Sequence, residues 1–197
     1  MKRTIILFLF VFHLTSVIAQ HRYKDSLTTY QQKYVKEHGA VKGNDRNHLH
    51  FFPVTEKYRV SASVQKIYEA PWFKMETSGK EKKVYRVYAV VTFRINDTIC
   101  KLHVYQSQQL MGIKEYADHL FIPFTDATTG EESYENGRYI DMTINDLESG
   151  SYILDFNKAY NPYCAYISDV YNCPIPPAEN DLSVAIRAGE MKFGKLH

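Results

Sequence analysis

The chain has little tryptophan (one residue), few cysteines (three) and only nine glycines among 197 residues. Its longest mostly apolar stretch, 4–17, is shorter than the roughly 20 residues a bilayer-spanning helix needs. Charge of one sign is also missing. Of 24 basic residues, Lys2 and Arg3 account for the whole excess over 22 acidic ones. A chain without them is neutral and has no global field to attract nucleic acid or an anionic membrane surface. There is no Gly-x-Ser-x-Gly, His-Glu-x-x-His, Cys-x-x-Cys, glycine-rich phosphate loop or deaminase-type zinc pattern, so no recognised catalytic signature is available. Internal repeats, heptads and low-complexity runs are absent, which excludes solenoids and coiled coils.

Aromatics are abundant: 16 Tyr and 11 Phe bring the aromatic share to 14%. Such residues favour pleated, half-buried surfaces and point to β structure. At the N-terminus, Lys2 and Arg3 precede the apolar stretch, and Val17-Ile18-Ala19 offers the small residues that signal peptidase accepts. The expectation is a signal peptide over 1–19, cleaved before Gln20, and an exported protein, periplasmic or extracellular, with no stable membrane insertion after cleavage.

Tyr23, Leu27, Tyr30, Tyr34 and Val35 recur at helical spacing, which predicts one helix over 22–38 packing on the domain edge, with Gly39 as its stop. The period then changes to two. Strands are predicted over 58–65, 85–95, 99–105, 120–124, 138–144, 152–156 and 183–187, with Asn96-Asp97 turning a hairpin. No second amphipathic helix is present to supply crossovers, so a parallel sheet is disfavoured. The predicted fold is mainly β: a single antiparallel, barrel-like or rolled sheet with one N-terminal helix. The predicted division is 1–19 signal peptide, 20–48 helix and linker, and 49–197 β-rich domain.

Polar residues cluster in two stretches. In the first, Asp126 and Glu131 precede Arg138, Tyr139 and Asp141, an arrangement suited to an ion-pair network or to a ligand's charged end. In the second, 155–180, four prolines and many Asn and Tyr residues rule out core strands and predict a long ordered irregular segment folded over the sheet. Arg187 and Glu190 offer a further charge pair. Cys100 reads as a buried small hydrophobe. Cys164 and Cys173 would form either a disulfide worth roughly 2–3 kcal/mol or a pair of packed thiols. His48 and His50 have only the distant His103 as a third partner, so no metal and no cofactor are expected.

Several of these segments resemble one family. Gly-Arg-Tyr-Ile-Asp at 137–141, Asp-Phe-Asn-Lys-Ala-Tyr-Asn-Pro-Tyr-Cys-Ala-Tyr at 155–166, Cys-Pro-Ile-Pro-Pro-Ala-Glu-Asn at 173–180 and Ala-Ile-Arg-Ala-Gly-Glu at 185–190 are similar to the domain-of-unknown-function 1684 family. The resemblance extends from about Phe51 to Glu190. Asn-Asp-Leu at 180–182 stands where Asn-Arg-Leu is more usual. The resemblance implies the family and its fold, and it brings no reaction.

Three functions follow. An exported binding protein would hold a small polar ligand among Arg138, Tyr139, Asp155, Asn157, Asn161, Glu179 and Asn180, drawn from separate segments to one site. A carboxylate-based hydrolase would pair Asp155 with Glu179, one of them protonated. A structural or interaction module would use the same polar groups only to fold its loops.

Overall fold

A computed structural model describes the backbone of residues 2–195 and the side chains of residues 20–195. The side chains of the expected 1–19 signal segment therefore lie outside the described residues. Helix α1 (Lys2–Glu37) is longer than the periodicity indicates, because it continues through the apolar N-terminal stretch. It ends one residue early, and Gly39 serves a different purpose from the expected stop. A Cβ there would collide with the Tyr163 hydroxyl. The turn is closed instead by His38 Nδ1, which accepts the Val41 N–H at 2.9 Å.

The rest is mainly β. Strands β1 (Arg59–Lys66), β2 (Phe73–Met75), β3 (Lys83–Ile95), β4 (Thr98–Ser107), β5 (His119–Asp126), β6 (Arg138–Thr143), β7 (Ser151–Asp155) and β8 (Asp181–Leu182) form one curled half-barrel sheet. Its order is β6-β5-β4-β3-β1-β7, antiparallel throughout this path, with β2 added to β3. Short β8 runs parallel beside β5. Val91, Phe93, Leu102, Val104, Leu120, Ile122, Phe124, Ile140, Leu154 and Phe156 fill the concave interior, as the period-two pattern requires.

Two details depart from that pattern. Continuous alternation over 85–95 would put Tyr85 and Val87 on the core face with Val91. A bulge between Val87 and Ala89 shifts the register and sends Tyr85 and Val87 to the outer face. There they join Phe73, Met75, Tyr105, Phe121, Tyr139 and Tyr160 in a second aromatic cluster. The second departure is at 183–187, expected to be a strand and found irregular. Its carbonyl groups have another use: the Ile186 oxygen accepts a hydrogen bond from Arg138 rather than from a ladder partner.

Between β4 and β5 the ladder covers only Tyr105–Phe121 and Gln106–Leu120. Beyond it Pro123 has no N–H to offer. The fully buried Asn180 fills the gap. Its Oδ1 accepts the His103 N–H at 2.7 Å, and its Nδ2 donates to the His103 and Pro123 carbonyls at 2.9 and 2.6 Å. The segment after β7 is irregular, as its prolines demand, with short 3-10 turns at Phe156–Lys158, Tyr163–Ala165 and Ala178–Asn180. Among the described residues no helix is long and apolar enough to cross a membrane.

Candidate ligand-binding site

The residues singled out from sequence separate into five places. Arg138 points inward from β6 and is fully buried over the rings of Phe124 and Phe52. Its Nη2 pairs with Asp126 Oδ2 at 2.7 Å and donates to the Ile186 carbonyl at 2.8 Å. Its Nη1 reaches the carbonyls of Ala188 and Glu190 at 2.6 and 3.1 Å. Asp126 is equally occupied, because its Oδ1 accepts Thr128 N–H, Thr128 O–H and Ile186 N–H. Gly189, with φ of +76°, allows the chain to pass close to the Phe156 and Ala159 carbonyls between these acceptors.

The Glu190 carboxylate lies next to this group. The expected pair with Arg187 does not form, since Arg187 binds Glu132 at 2.7 Å on the surface. Glu190 instead accepts Tyr166 O–H at 2.6 Å, Asn161 N–H at 2.9 Å and Tyr34 O–H at 3.1 Å. Complete burial raises its pKa from 4.5 to about 7, against these donors and the Arg138 charge. Asn161 Nδ2 donates to the Met191 carbonyl at 2.8 Å. Arg138 and Asn161 both bind Glu190, one at its carbonyl and the other at its carboxylate, and meet through it.

Asp155 and Asn157 form a third group at the end of β7. Tyr23 of α1 donates to both Asp155 oxygens, at 3.0 and 2.9 Å. Asn157 binds Asp155 Oδ1 and both backbone groups of Thr55. Asn180 splices β4 to β5 and Glu179 beside it is exposed. Asp155 is held by Tyr23 and Asn157, and Glu179 makes no hydrogen bond to it. Cys164 and Cys173 are disulfide-bonded, with Cα atoms 6.2 Å apart, and Cys100 is a buried free thiol.

Of the seven expected ligand residues, Tyr139 is the one that lines the cavity beneath the end of α1. Because side chains alternate along β6, Tyr139 and Asp141 face outward where Arg138 faces in. Over them lie the last turns of α1 and the 160–174 segment, enclosing about 660 Å³. Six tyrosines contribute to the wall: Tyr30 and Tyr34 from α1, Tyr139 from β6, and Tyr160, Tyr163 and Tyr171 from the irregular segment. Tyr139 and Tyr160 meet edge to face at 5.9 Å between ring centres, as do Tyr163 and Tyr171 at 5.2 Å.

The cavity's polar groups differ in how well they are satisfied. Asp141 accepts Tyr160 O–H at 2.9 Å on each oxygen and lies 3.2 Å from His119 Nε2. Tyr139 O–H donates to the Pro174 carbonyl. Lys33 and Glu37 are partners at 3.9 Å. Lys83, half-buried at the start of β3, has no carboxylate partner among the described residues, and desolvation lowers its pKa. His38 is only 4% exposed, and its Nε2 has no hydrogen-bond partner among the described residues. Burial, with Arg46 and Lys42 nearby, pushes its pKa down to about 4, so the ring is neutral at neutral pH. Among the described residues, no three His, Cys, Asp or Glu side chains gather as a metal ion would require.

Sequence reasoning missed His38, Lys83 and the α1 tyrosines as cavity walls. Their only signal was the Tyr30–Tyr34 stripe, which also suits plain edge packing.

Fold and cavity together define a class: a curled antiparallel half-barrel whose outer face is roofed by an N-terminal helix over an aromatic pocket. The chain belongs to the family described as Protein of unknown function (DUF1684), whose model matches residues 45–191. It is also similar to an uncharacterized protein of Haloarcula marismortui with a solution NMR structure. The two are 32% identical over 87% of this chain and 97% of that one, with a TM-score of 0.64. No curated protein matches the chain.

Proposed function

We propose that this chain is an exported binding protein that takes a small polar ligand into the tyrosine-lined cavity. The observation that carries this reading is a cavity of about 660 Å³ with six tyrosines and a buried donor that meets no acceptor among the described residues. Ligand pockets have this size and this mixture of aromatic wall and few polar groups. Two features support export. Among the described side chains, the hydrogen bonds tethering α1 to the sheet begin at Tyr23, so cleavage after Ala19 would leave each tether in place. The Cys164–Cys173 bond suits an oxidising compartment.

The test is a two-dimensional amide NMR titration of the full chain with a library of small polar ring compounds. Binding should move the amides of Tyr139, Asp141, Tyr160, Tyr163 and Asn172 first. Shifts confined to the opposite side of the sheet, or none, would overturn the cavity as the site. Intact-mass analysis of exported protein should give a chain beginning at Gln20; a soluble exported chain that retains 1–19 would contradict the processing.

A further inference from the structure

Building on that reading, we infer that the cavity selects an organic anion, a ring compound bearing a carboxylate or phosphate, with Lys83 and His38 as the groups that receive its oxygens. The cavity's acidic and basic groups are unequally satisfied. Asp141 already accepts from Tyr160 and lies beside His119, and Glu37 already faces Lys33. A ligand cation would find these carboxylates engaged. Lys83 is the reverse case. It is half-buried, no carboxylate among the described residues offsets its loss of water, and desolvation is the one cause that shifts it. An ammonium ion in that position gains most from an incoming anion.

His38 contributes independently of charge. Its Nδ1 accepts the Val41 N–H, so in the neutral ring the proton resides on Nε2. His38 lines the cavity, and its Nε2–H is closed to solvent and meets no acceptor among the described residues, so a ligand oxygen reaches it as the ring turns toward the cavity. A buried donor without an acceptor is costly, and a ligand oxygen would relieve the cost. Both unmet groups are donors, and an anion's oxygens are acceptors.

The ring requirement comes from the walls. Tyr163 and Tyr171 on one segment, and Tyr139 with Tyr160 beside them, offer aromatic surface on which a sugar or aryl ring packs. The volume exceeds what a single small ring needs, which favours a ligand of two rings or a ring with an extended anionic arm.

Three probes separate these elements in the full chain, each by calorimetric titration at pH 7.5 and low salt. 4-Nitrophenyl β-D-glucuronide carries a carboxylate and 4-nitrophenyl phosphate carries a phosphate. 4-Nitrophenyl β-D-glucoside is the neutral counterpart of the first. At least one anion should bind tenfold or more tightly than the glucoside. Lys83→Met should reduce that anion to the glucoside's level without changing glucoside affinity, and Lys83→Arg should keep the preference. Circular dichroism of the variants confirms the fold. The anion that binds identifies the headgroup, carboxylate or phosphate. Equal binding of glucoside and anions at the cavity amides would overturn anion selection while leaving the cavity as the site. Anion binding untouched by Lys83→Met, or no binding by either anion, would also overturn it. Ligand-induced shifts elsewhere than the cavity would instead remove the underlying binding reading.

Discussion

The two faces of strand β6 carry polar groups of comparable richness and opposite character. Inward, the Arg138 guanidinium has Asp126 and three backbone carbonyls as partners, and Asp126 in turn has three further donors. Outward, one residue further on, Tyr139 opens onto a cavity where Lys83 and His38 lack partners among the described residues. A network sealed from solvent fixes the fold, even though the Arg138 Nε–H has no partner among the described residues, and it leaves no space for a ligand. An incomplete one beside open space is where recognition has chemistry left to do. The contrast teaches that density of polar residues marks scaffold as readily as site, and that open space beside unmet groups separates the two.

The strongest way to break this comparison is at Arg138. Arg138→Met should cost about 3–5 kcal/mol in urea unfolding, because it strands the buried Asp126 charge and three carbonyls. A loss below about 1 kcal/mol would show that the inward network is not what holds this end of the sheet. Next comes the disulfide beneath the cavity wall. Replacing Cys164 and Cys173 by serine should lower stability by roughly 2–3 kcal/mol, the entropy of freeing a nine-residue separation in the unfolded chain. Unchanged unfolding midpoints would contradict this.

The two perturbed titrating groups sharpen the comparison, since they act in opposite senses. Folded Glu190 keeps its proton up to about pH 7, whereas the unfolded chain releases it near 4.5. Its contribution is therefore fully present at low pH and is lost as pH rises through 7. Folded His38 takes a proton only near pH 4, whereas the unfolded chain takes one near 6.5. Its contribution is present above 6.5 and is lost as pH falls toward 4. Between pH 4.5 and 6.5 the slopes oppose, each at most about 1.4 kcal/mol per pH unit. Relative to the parent, Glu190→Gln should tilt stability upward with pH across this window and His38→Gln should tilt it downward. Urea unfolding at pH 4.5, 5.5 and 6.5 reads the tilt, and equal tilts in the two variants would reject the assignment. The smallest expected effect on stability is at Tyr171, a half-buried cavity wall. Tyr171→Ala should change unfolding by less than about 1 kcal/mol while weakening any cavity ligand at least tenfold.

Much of the fold was legible in the sequence because burial on one face of a strand writes itself as alternation. The main strands of the sheet, the hairpin at Asn96 and the single N-terminal helix followed directly. The bulge at Val87–Ala89 did not, since Tyr85 and Val87 are as apolar as the core residues they were grouped with, and an extra backbone residue leaves no mark on composition. The 183–187 strand failed for a related reason. Its apolar alternation is real, but the Ile186 carbonyl is claimed by a guanidinium. Arg138–Asp126 was readable as an ion pair, whereas the convergence of seven residues was not realised, because Asn157 and Asn180 each serve the backbone next to them. The cavity was nearly invisible: its tyrosines come from α1, β6 and the irregular segment, and no local pattern records that they share a space.

The acceptors of Arg138 have a consequence in time. All three carbonyls belong to residues 186–190, some fifty positions after the arginine itself. Asn180 likewise seals β4 to β5 from nearly sixty residues beyond Pro123. As the ribosome makes the chain, the arginine emerges after Asp126 but some fifty residues before the three carbonyls that take its other N–H groups, and burying it early would leave those donors unmet. This end of the β-domain therefore completes its hydrogen bonding only once residue 190 has been synthesised.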